Sequence, residues 1–389
     1  MGKNTNIGAD ASLTVYGNPE SFRRVIKNHG QIAKIKQVLV CPCVSANSGS
    51  ADYLCELCNG KGFIYTYQRR FLVADEVVRS CGTTIMPFWN PIIDVVGVQN
   101  LVSDVQGGIT NLTIESFDDT TIFVAEDTPN FQQKKATYYF DGWTYIAEDK
   151  LTVDAENGIM YAPSAIYDAK YQSSNPLKAY ADIAEVVRVW NSETGKEIVN
   201  FEFYGNTITT KEPIESGKMY AEYYLSDLTQ VIPNDLATQN NNEVWTHELA
   251  SGSVRMAFYP FWDLTRGDII TLAGSVLYKN EQFPYLGQEL SELWEMEVFD
   301  LNSVILDSNG KKYYLNTDYI LQGKHIKWIG NTPKKNAIVS VRYGYKPSFI
   351  IFEDNPQNNN LENKVYPKIV FAKAWSKIDR EEVARLSGI

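Results

Sequence analysis

Four cysteines near the start of the chain offer the clearest chemistry in the sequence. Cys41 and Cys43 form a CPC pair, and after eleven further residues Cys55 and Cys58 form a CELC pair. Four thiolates suit the tetrahedral coordination of zinc, and a closed set leaves no position for a reactive water. We therefore predict a structural zinc site ligated by Cys41, Cys43, Cys55 and Cys58.

Turn-forming residues accompany the second half of this pattern. The segments 47–50 and 59–62 read NSGS and NGKG, and their glycines allow backbone amides to point at the sulfurs. The fifth cysteine, Cys81, stands apart, so the clustering favours metal binding in a reducing compartment. Because the first pair is separated by one residue instead of two, a disulfide pair and unligated cysteines stay open as alternatives.

Other residues give little support for enzymatic chemistry. His29, His247 and His325 lie far apart in the sequence and have no metal-ligand spacing. No nucleophile elbow, phosphate-binding loop or dinucleotide-binding motif occurs. The tripeptide Arg266-Gly267-Asp268 is interpreted as a turn between strands. We predict that the protein is not an enzyme.

Composition and charge narrow the class of protein further. The 389 residues include 24 Tyr and 8 Trp, which are typical of strands and protein interfaces. Residues 1–80 carry ten Lys/Arg and six Asp/Glu, whereas the rest carry 26 and 41, a difference that fits either docking between protein partners or chance. The sequence shows no signal peptide and no apolar stretch of membrane-spanning length, so we expect no contact with a membrane.

Short alternating apolar runs predict a mainly β, multidomain fold built from small β-sandwich or barrel modules. We expect a helix from Asn18 to about His29, a strand over 32–40 leading into the cysteines, and strands at 63–67 and 71–73. Helical periodicity occurs again only over 285–296. The predicted units are an arm (1–17), a helix with the four-cysteine knuckle (18–80), β modules (81–180, 181–285 and 286–350) and a linker with a docking tail (351–389).

A weak internal repeat lies inside the β region. Residues 193–224 and 308–345 each run through a Gly-Lys turn, an aromatic strand, a Pro-containing turn and a strand with a late tyrosine. A looser third copy fills 142–171. The pattern predicts a module used three times, although any antiparallel meander could produce a similar order.

The last segment changes character. Residues 353–364 are polar, and they precede a short apolar strand and an amphipathic helix over 376–386. A tail that docks on a partner and a tail that folds back on its own domain are equally compatible with this pattern.

Residues 22–65 resemble the N-terminal zinc-knuckle module of structural proteins in tailed-bacteriophage virions. The shared pattern is a helix, a strand, CPC, a Gly/Asp-containing loop, CxxCxGxGF and a second strand, in which Gly60 and Gly62 take the glycine positions. DnaJ chaperones share the CxxCxGxG half. They carry repeated CxxC pairs, however, whereas this chain has a single such half. The resemblance covers about a sixth of the sequence.

The resemblance implies a virion protein made in the bacterial host cytoplasm, most simply a ring-forming head–tail connector or neck component. Its partners would be copies of itself and neighbouring portal, adaptor or tail proteins, and a tail or baseplate part is the nearest alternative. From other classes, a zinc-knuckle nucleic-acid-binding protein and a carbohydrate-binding adhesin stay open. Lys34, Lys36, Lys61, Arg69 and Arg70 flank the cysteines, with Tyr65 and Tyr67 available for stacking, but so modest a basic flank gives weak support for nucleic acid.

Overall fold

The computed structural model is all-β in its regular elements and confirms the predicted mainly β, multidomain class. It describes residues 26, 30–45, 50–55, 57–58, 60, 62–87, 91–100, 110–128, 133–165, 181–226, 228–235, 253–295, 297–354, 360–361, 364–365 and 368–375. Within these ranges no helix is suited to crossing a bilayer. The arm at 1–17 and the helix at 376–386 lie outside the described residues, as does the helix at 18–29 except for Ile26, which is helical.

The strands fall into six successive groups along the chain. The first two strands are β1 (Gln31–Val40) and β2 (Phe63–Thr66). The next group is β3 (Arg70–Cys81), β4 (Thr84–Ile85), β5 (Ile92–Asn100), β6 (Thr110–Leu112), β7 (Ile114–Phe117), β8 (Ile122–Val124) and β9 (Gln133–Asp141). The third group is β10 (Trp143–Lys150), β11 (Thr152–Asp154), β12 (Ile159–Tyr161), β13 (Ile183–Asn191), β14 (Glu197–Ile198), β15 (Phe201–Tyr204), β16 (Thr207–Thr210) and β17 (Met219–Ser226).

The second half of the chain completes the set. Three strands follow directly, β18 (Thr229–Asp235), β19 (Ser253–Phe258) and β20 (Ile269–Leu272). The fifth group is β21 (Leu277–Pro284), β22 (Leu290–Glu292), β23 (Glu297–Leu301), β24 (Val304–Asp307), β25 (Lys312–Tyr314), β26 (Tyr319–Gln322), β27 (His325–Trp328) and β28 (Ile338–Lys346). The last strands are β29 (Ser348–Asp354), β30 (Asn360–Leu361), β31 (Lys364–Val365) and β32 (Lys368–Ala374).

Six antiparallel strands form a closed central sheet. Their order is β1, β18, β19, β32, β29 and β20, and β20 pairs with β1 again to complete the circle. The inward side chains alternate along each strand, as a sheet with one buried face requires. They include Ala33, Ile35, Met256, Ile270 and Val370, all buried.

Three modules with the same strand order are inserted into this sheet, at residues 70–141, 143–226 and 277–346. In each, the first and last strands pair with each other, in the pairs β3–β9, β10–β17 and β21–β28. The last strand also pairs with a middle strand, which is β5, β13 or the β23–β24 region. A hairpin then adds to a short strand in each module, in the sets β4–β8–β7, β12–β16–β15 and β22–β27–β26.

A buried tyrosine and an acidic residue occupy matching positions in all three modules. The hydroxyl groups donate to carboxylates over 2.6 Å for Tyr138 and Glu76, 2.5 Å for Tyr223 and Asp149, and 2.6 Å for Tyr343 and Glu281. In every case the acid sits on the first strand, opposite the residue two positions before the tyrosine. A buried hydroxyl group needs a hydrogen-bond partner of this kind. Because the same pair recurs at the same place in all three, the modules are structural repeats of one another.

The predicted repeat is therefore correct for two of its copies and wrong for the third. Residues 193–224 and 308–345 are equivalent halves of the second and third modules. Residues 142–165 of the predicted third copy form the opening strands of the second module, and 166–171 lie outside the described residues. The segment that matches the other two copies belongs instead to the module at 70–141. Strand pairing thus groups the chain differently from the predicted divisions at 81–180, 181–285 and 286–350, because each module is closed by its first and last strands.

Two further local predictions meet a clear outcome. The helix indicated by the periodicity over 285–296 is wrong, because Leu290–Glu292 is a strand of the third module. In this strand Ser291 is buried and Leu290 is exposed. At the C-terminal end, β32 lies between β19 and β29 in the closed sheet. Residues 368–374 therefore fold back on the chain's own domain, and they are not part of a detached tail.

A buried ion cluster ties the second and third modules to β1. The Lys34 ammonium group pairs with the Asp182 carboxylate and lies 4.0 Å from an oxygen of Glu297. The Lys36 ammonium group is 3.2 Å from Glu297 and 3.7 Å from Asp182. The Tyr67 hydroxyl also donates to Asp182. Burial opposes ionisation of Asp182, but Lys34 and Lys36 outweigh it and lower the pKa of its carboxyl to about 2.

We expect Asp182→Ala to destabilise the fold by about 3–5 kcal/mol, since it leaves buried ammonium groups without their carboxylate. Glu185→Ala, which removes an exposed carboxylate on β13, is the matched control and should cost less than about 1 kcal/mol. Urea unfolding of both variants measures these differences. The folded pKa is depressed, so the contribution of Asp182 is complete above about pH 4 and is lost as the pH falls towards 2. Equal losses in the two variants would contradict the cluster's structural role.

Candidate metal centre

The ladder between β1 and β2 holds the cysteine-bearing loop. Cys41 follows the last residue of β1, and Cys58 precedes β2 by a short turn. Val38 pairs with Tyr65 and Val40 with Phe63, and the Cys41 amide donates to the Gly62 carbonyl over 2.8 Å. The two ends of the loop are therefore fixed relative to each other by strand pairing.

The four predicted cysteines meet at the base of this loop. Their sulfur atoms all lie within 4.8 Å of one another, with 3.7 Å between Cys41 and Cys55 and 3.5 Å between Cys43 and Cys58. Tetrahedral coordination with metal–sulfur bonds of about 2.3 Å places sulfurs about 3.8 Å apart. The sulfurs are thus close enough to hold one metal ion, with all four positions supplied by the protein.

Two glycines allow the chain to turn tightly around the sulfurs. Gly60 and Gly62 have φ angles of 76° and 80°, in the left-handed region that favours glycine. The Gly62 amide donates to the Cys58 sulfur over 3.3 Å. A Cβ atom at Gly60 would lie 3.1 Å from the Cα atom of Tyr53, so the loop leaves little room for a side chain at this position. Amide donors of this kind stabilise thiolate ligands.

The thiols differ in their ease of ionisation. Burial raises the pKa of the Cys43 thiol to about 12. Burial acts in the same direction on Cys58, but the Gly62 amide and the neighbouring sulfurs outweigh it and lower its pKa to about 7. A metal ligated by both sulfurs must displace the proton of Cys43, so binding releases protons and becomes weaker in acid.

A small hydrophobic cluster packs against β1 and β2, the two strands that hold the cysteine loop. Phe63, Ile269, Ile350 and Trp375 are buried together, and the Tyr65 and Trp375 rings meet edge to face with centroids 5.8 Å apart. No pattern in the sequence indicates that Trp375, beyond the polar segment, packs against β2, the strand that follows the cysteine loop. The site is therefore anchored to the closed sheet and is not an isolated N-terminal unit.

The remaining candidates from the sequence have structural roles in the described part of the chain. Asp268 of the Arg-Gly-Asp tripeptide is fully buried and accepts from the Val38 amide over 2.8 Å, so the tripeptide is a turn, as predicted. Arg69 pairs with Asp141, and Arg70 pairs with Asp94. Of the other flanking cations, Lys34 and Lys36 belong to the ion cluster, and Lys61 is outside the described residues. Cys81 is exposed and lies outside the sulfur cluster.

Large apolar side chains are exposed around the loop. Tyr53, Leu54 and Leu57 are 81%, 71% and 70% exposed, and Leu39 and Val40 at the end of β1 are exposed as well. Within the described part of the loop few side chains besides those of Cys41 and Cys58 are buried, so strand pairing and the sulfur cluster are left to stabilise it.

Comparison with known proteins adds no assignment. Neither a scan against protein-family models nor a search of curated proteins found a match for this chain.

We expect Cys58→Ser to abolish stoichiometric metal binding and to loosen residues 41–62, while the modules at 143–226 and 277–346 keep their structure. The reason is that the modules have their own buried cores, whereas the loop has few buried side chains. Cys81→Ser is the matched control and should keep full metal content. Hydrogen exchange with metal analysis measures both effects, and loss of protection throughout the modules of Cys58→Ser would contradict the expectation.

Proposed function

We propose that the sulfur cluster binds a structural zinc ion in a component of a tailed-bacteriophage virion, a ring-forming head–tail connector or neck protein. The observation that carries the proposal is the closed set of four sulfurs between β1 and β2, in the loop that resembles the virion zinc-knuckle module. A metal ion whose four coordination positions are all filled by cysteines has none left for substrate or water. Such a site supports a structural role in the assembly.

Zinc is the metal that this ligand set favours. Four thiolates with tetrahedral spacing suit zinc or iron, and the hydrogen bond from Gly62 to Cys58 reduces the negative charge that a thiolate-only site accumulates. Zinc has no redox chemistry and would serve as a cross-link between the two halves of the loop. Calcium and magnesium prefer oxygen ligands, which the cluster lacks.

The surface around the loop supports assembly with other proteins. Five large apolar side chains are exposed there, which is characteristic of a surface covered in an assembly: Leu39, Val40, Tyr53, Leu54 and Leu57. Identical chains that repeat one head-to-tail contact either close into a ring or continue as a filament. The partners would be further copies of this chain and the neighbouring portal, adaptor or tail proteins, assembled in the bacterial host cytoplasm.

The nucleic-acid alternative finds less support. Lys34, Lys36, Arg69 and Arg70 all engage carboxylates within the chain, so they are poorly placed to neutralise phosphates. A tail or baseplate component would share every feature described and differs from a neck protein only in its place within the particle.

The purified protein should contain about one zinc ion per chain. Elemental analysis after purification without chelators tests this, with the Cys58→Ser variant as the zinc-free reference. Iron in place of zinc would produce visible absorption and would show that the ligand set is right and the metal wrong. Absence of any metal from the wild-type protein would remove the metal part of the proposal.

In assembled particles the chain should occur as a ring of identical copies at the head–tail junction. Cryo-electron microscopy of virions gives both the copy number and the position along the axis. A ring within the tail or baseplate would select the alternative virion role. A single copy, or absence from particles, would contradict the ring. Monomers in dilute solution are compatible with the proposal, because neighbouring proteins can be needed for assembly.

A further inference from the structure

A continuous groove separates the second module from the third. It consists of two cavities of about 430 and 410 Å³ that share four lining residues, two from each module: Ile159, Thr209, Ile320 and Gln322. At one point the modules touch, because the Tyr204 ring lies 3.5 Å from the position of a Cβ atom on Gly323. The groove is large enough for a ligand of several rings.

Aromatic rings line one part of this groove. Tyr161 and Tyr204 come from the second module and Phe299 from the third, and all three are exposed. A ring held in a polar groove gives a flat apolar surface against which a ligand can pack, and the tyrosine hydroxyls add polar contacts. The Lys36 and Lys346 ammonium groups lie 5.3 Å and 5.7 Å from the centroids of the Tyr204 and Phe299 rings.

Some of the polar side chains in the lining have no internal partner. Asn206, Asp300 and Gln322 make no side-chain hydrogen bond within the described part of the chain, and Asn200 and Glu202 at the other end of the groove make none either. The amides can both donate and accept, and the carboxylates accept. A ligand rich in hydroxyl groups satisfies both kinds of group at once.

The charge of the lining selects against highly charged ligands. Five carboxylates and four lysines face the two cavities, and they are Asp154, Asp182, Glu202, Glu297 and Asp300 with Lys34, Lys211, Lys327 and Lys346. Lys34, Asp182 and Glu297 are already paired with one another at the floor. A polyphosphate or polysulfate would be repelled by Glu202 and Asp300, which have no basic partner within the described residues, and this repulsion opposes its binding.

We propose that this groove binds a neutral oligosaccharide. Pyranose rings have apolar faces that pack on aromatic rings and hydroxyl groups that pair with amides and carboxylates, which matches the lining. Binding requires only that the second and third modules keep their relative position, so the inference does not depend on the zinc site or on the place of the chain in a virion.

Isothermal titration calorimetry of the full-length protein tests the proposal. The probes are maltohexaose, cellohexaose, chitohexaose and mannohexaose, with a sulfated dextran of similar length as the charged comparison. We expect saturable binding of at least one neutral oligosaccharide and no tighter binding of the sulfated chain. Failure of all four neutral probes to bind, or preferential binding of the sulfated dextran, would overturn the proposal.

Two variants locate the binding in the groove. Tyr204→Ala removes a stacking surface and Asp300→Asn changes an exposed carboxylate without altering the fold, and each should weaken binding by about tenfold. Tyr278→Ala removes an exposed tyrosine of β21 that does not line the groove, and it should leave binding unchanged. Unchanged binding in both groove variants would show that any sugar binds elsewhere. A cooperative thermal transition in Asp300→Asn separates loss of binding from loss of structure.

Discussion

The pairing of β1 with β18 on one side and β20 on the other is the constraint on which the rest of the structure depends. Three residues of β1 pair with β18 and four with β20, and the last four pair with β2. One ten-residue strand therefore closes the central sheet and also begins the cysteine loop. Because closure removes the exposed edges of that sheet, the three modules are inserted into a framework that is complete in itself.

β1 also carries the charges that orient two of the modules. Asp182 directly precedes β13 and Glu297 begins β23, which are corresponding middle strands of the second and third modules. Both acids reach Lys34 and Lys36 on β1. In the first module the corresponding strand is β5. Its Asp94 pairs instead with Arg70 on β3, the first strand of the same module. The first module shares one buried apolar cluster with the closed sheet, whereas the second module packs on Ile32 and Ala273 in addition to its ion pairs.

The parts that could be predicted from the sequence are those set by local spacing. The cysteine pattern, the strand over 32–40 and the strands after the loop depend on neighbouring residues, and the structure contains them. The copies at 193–224 and 308–345 could be aligned because their turns and late tyrosines lie at similar spacing. The copy at 70–141 could not, since its loops differ in length from those of the other two.

Long-range charge pairing explains a second difference between expectation and structure. Lys34 and Lys36 look like a basic flank of the cysteines, but their partners are 148 and 261 residues away, in the hydrogen bonds to Asp182 and Glu297. Burying two ammonium groups is costly unless carboxylates meet them with good geometry, so their positions fix how the two modules approach β1. The groove between those modules has this cluster as its floor. The strand that carries the cysteine loop thus also contributes Lys34 to the lining of the groove, and a change at β1 would alter the sheet, the loop and the groove together.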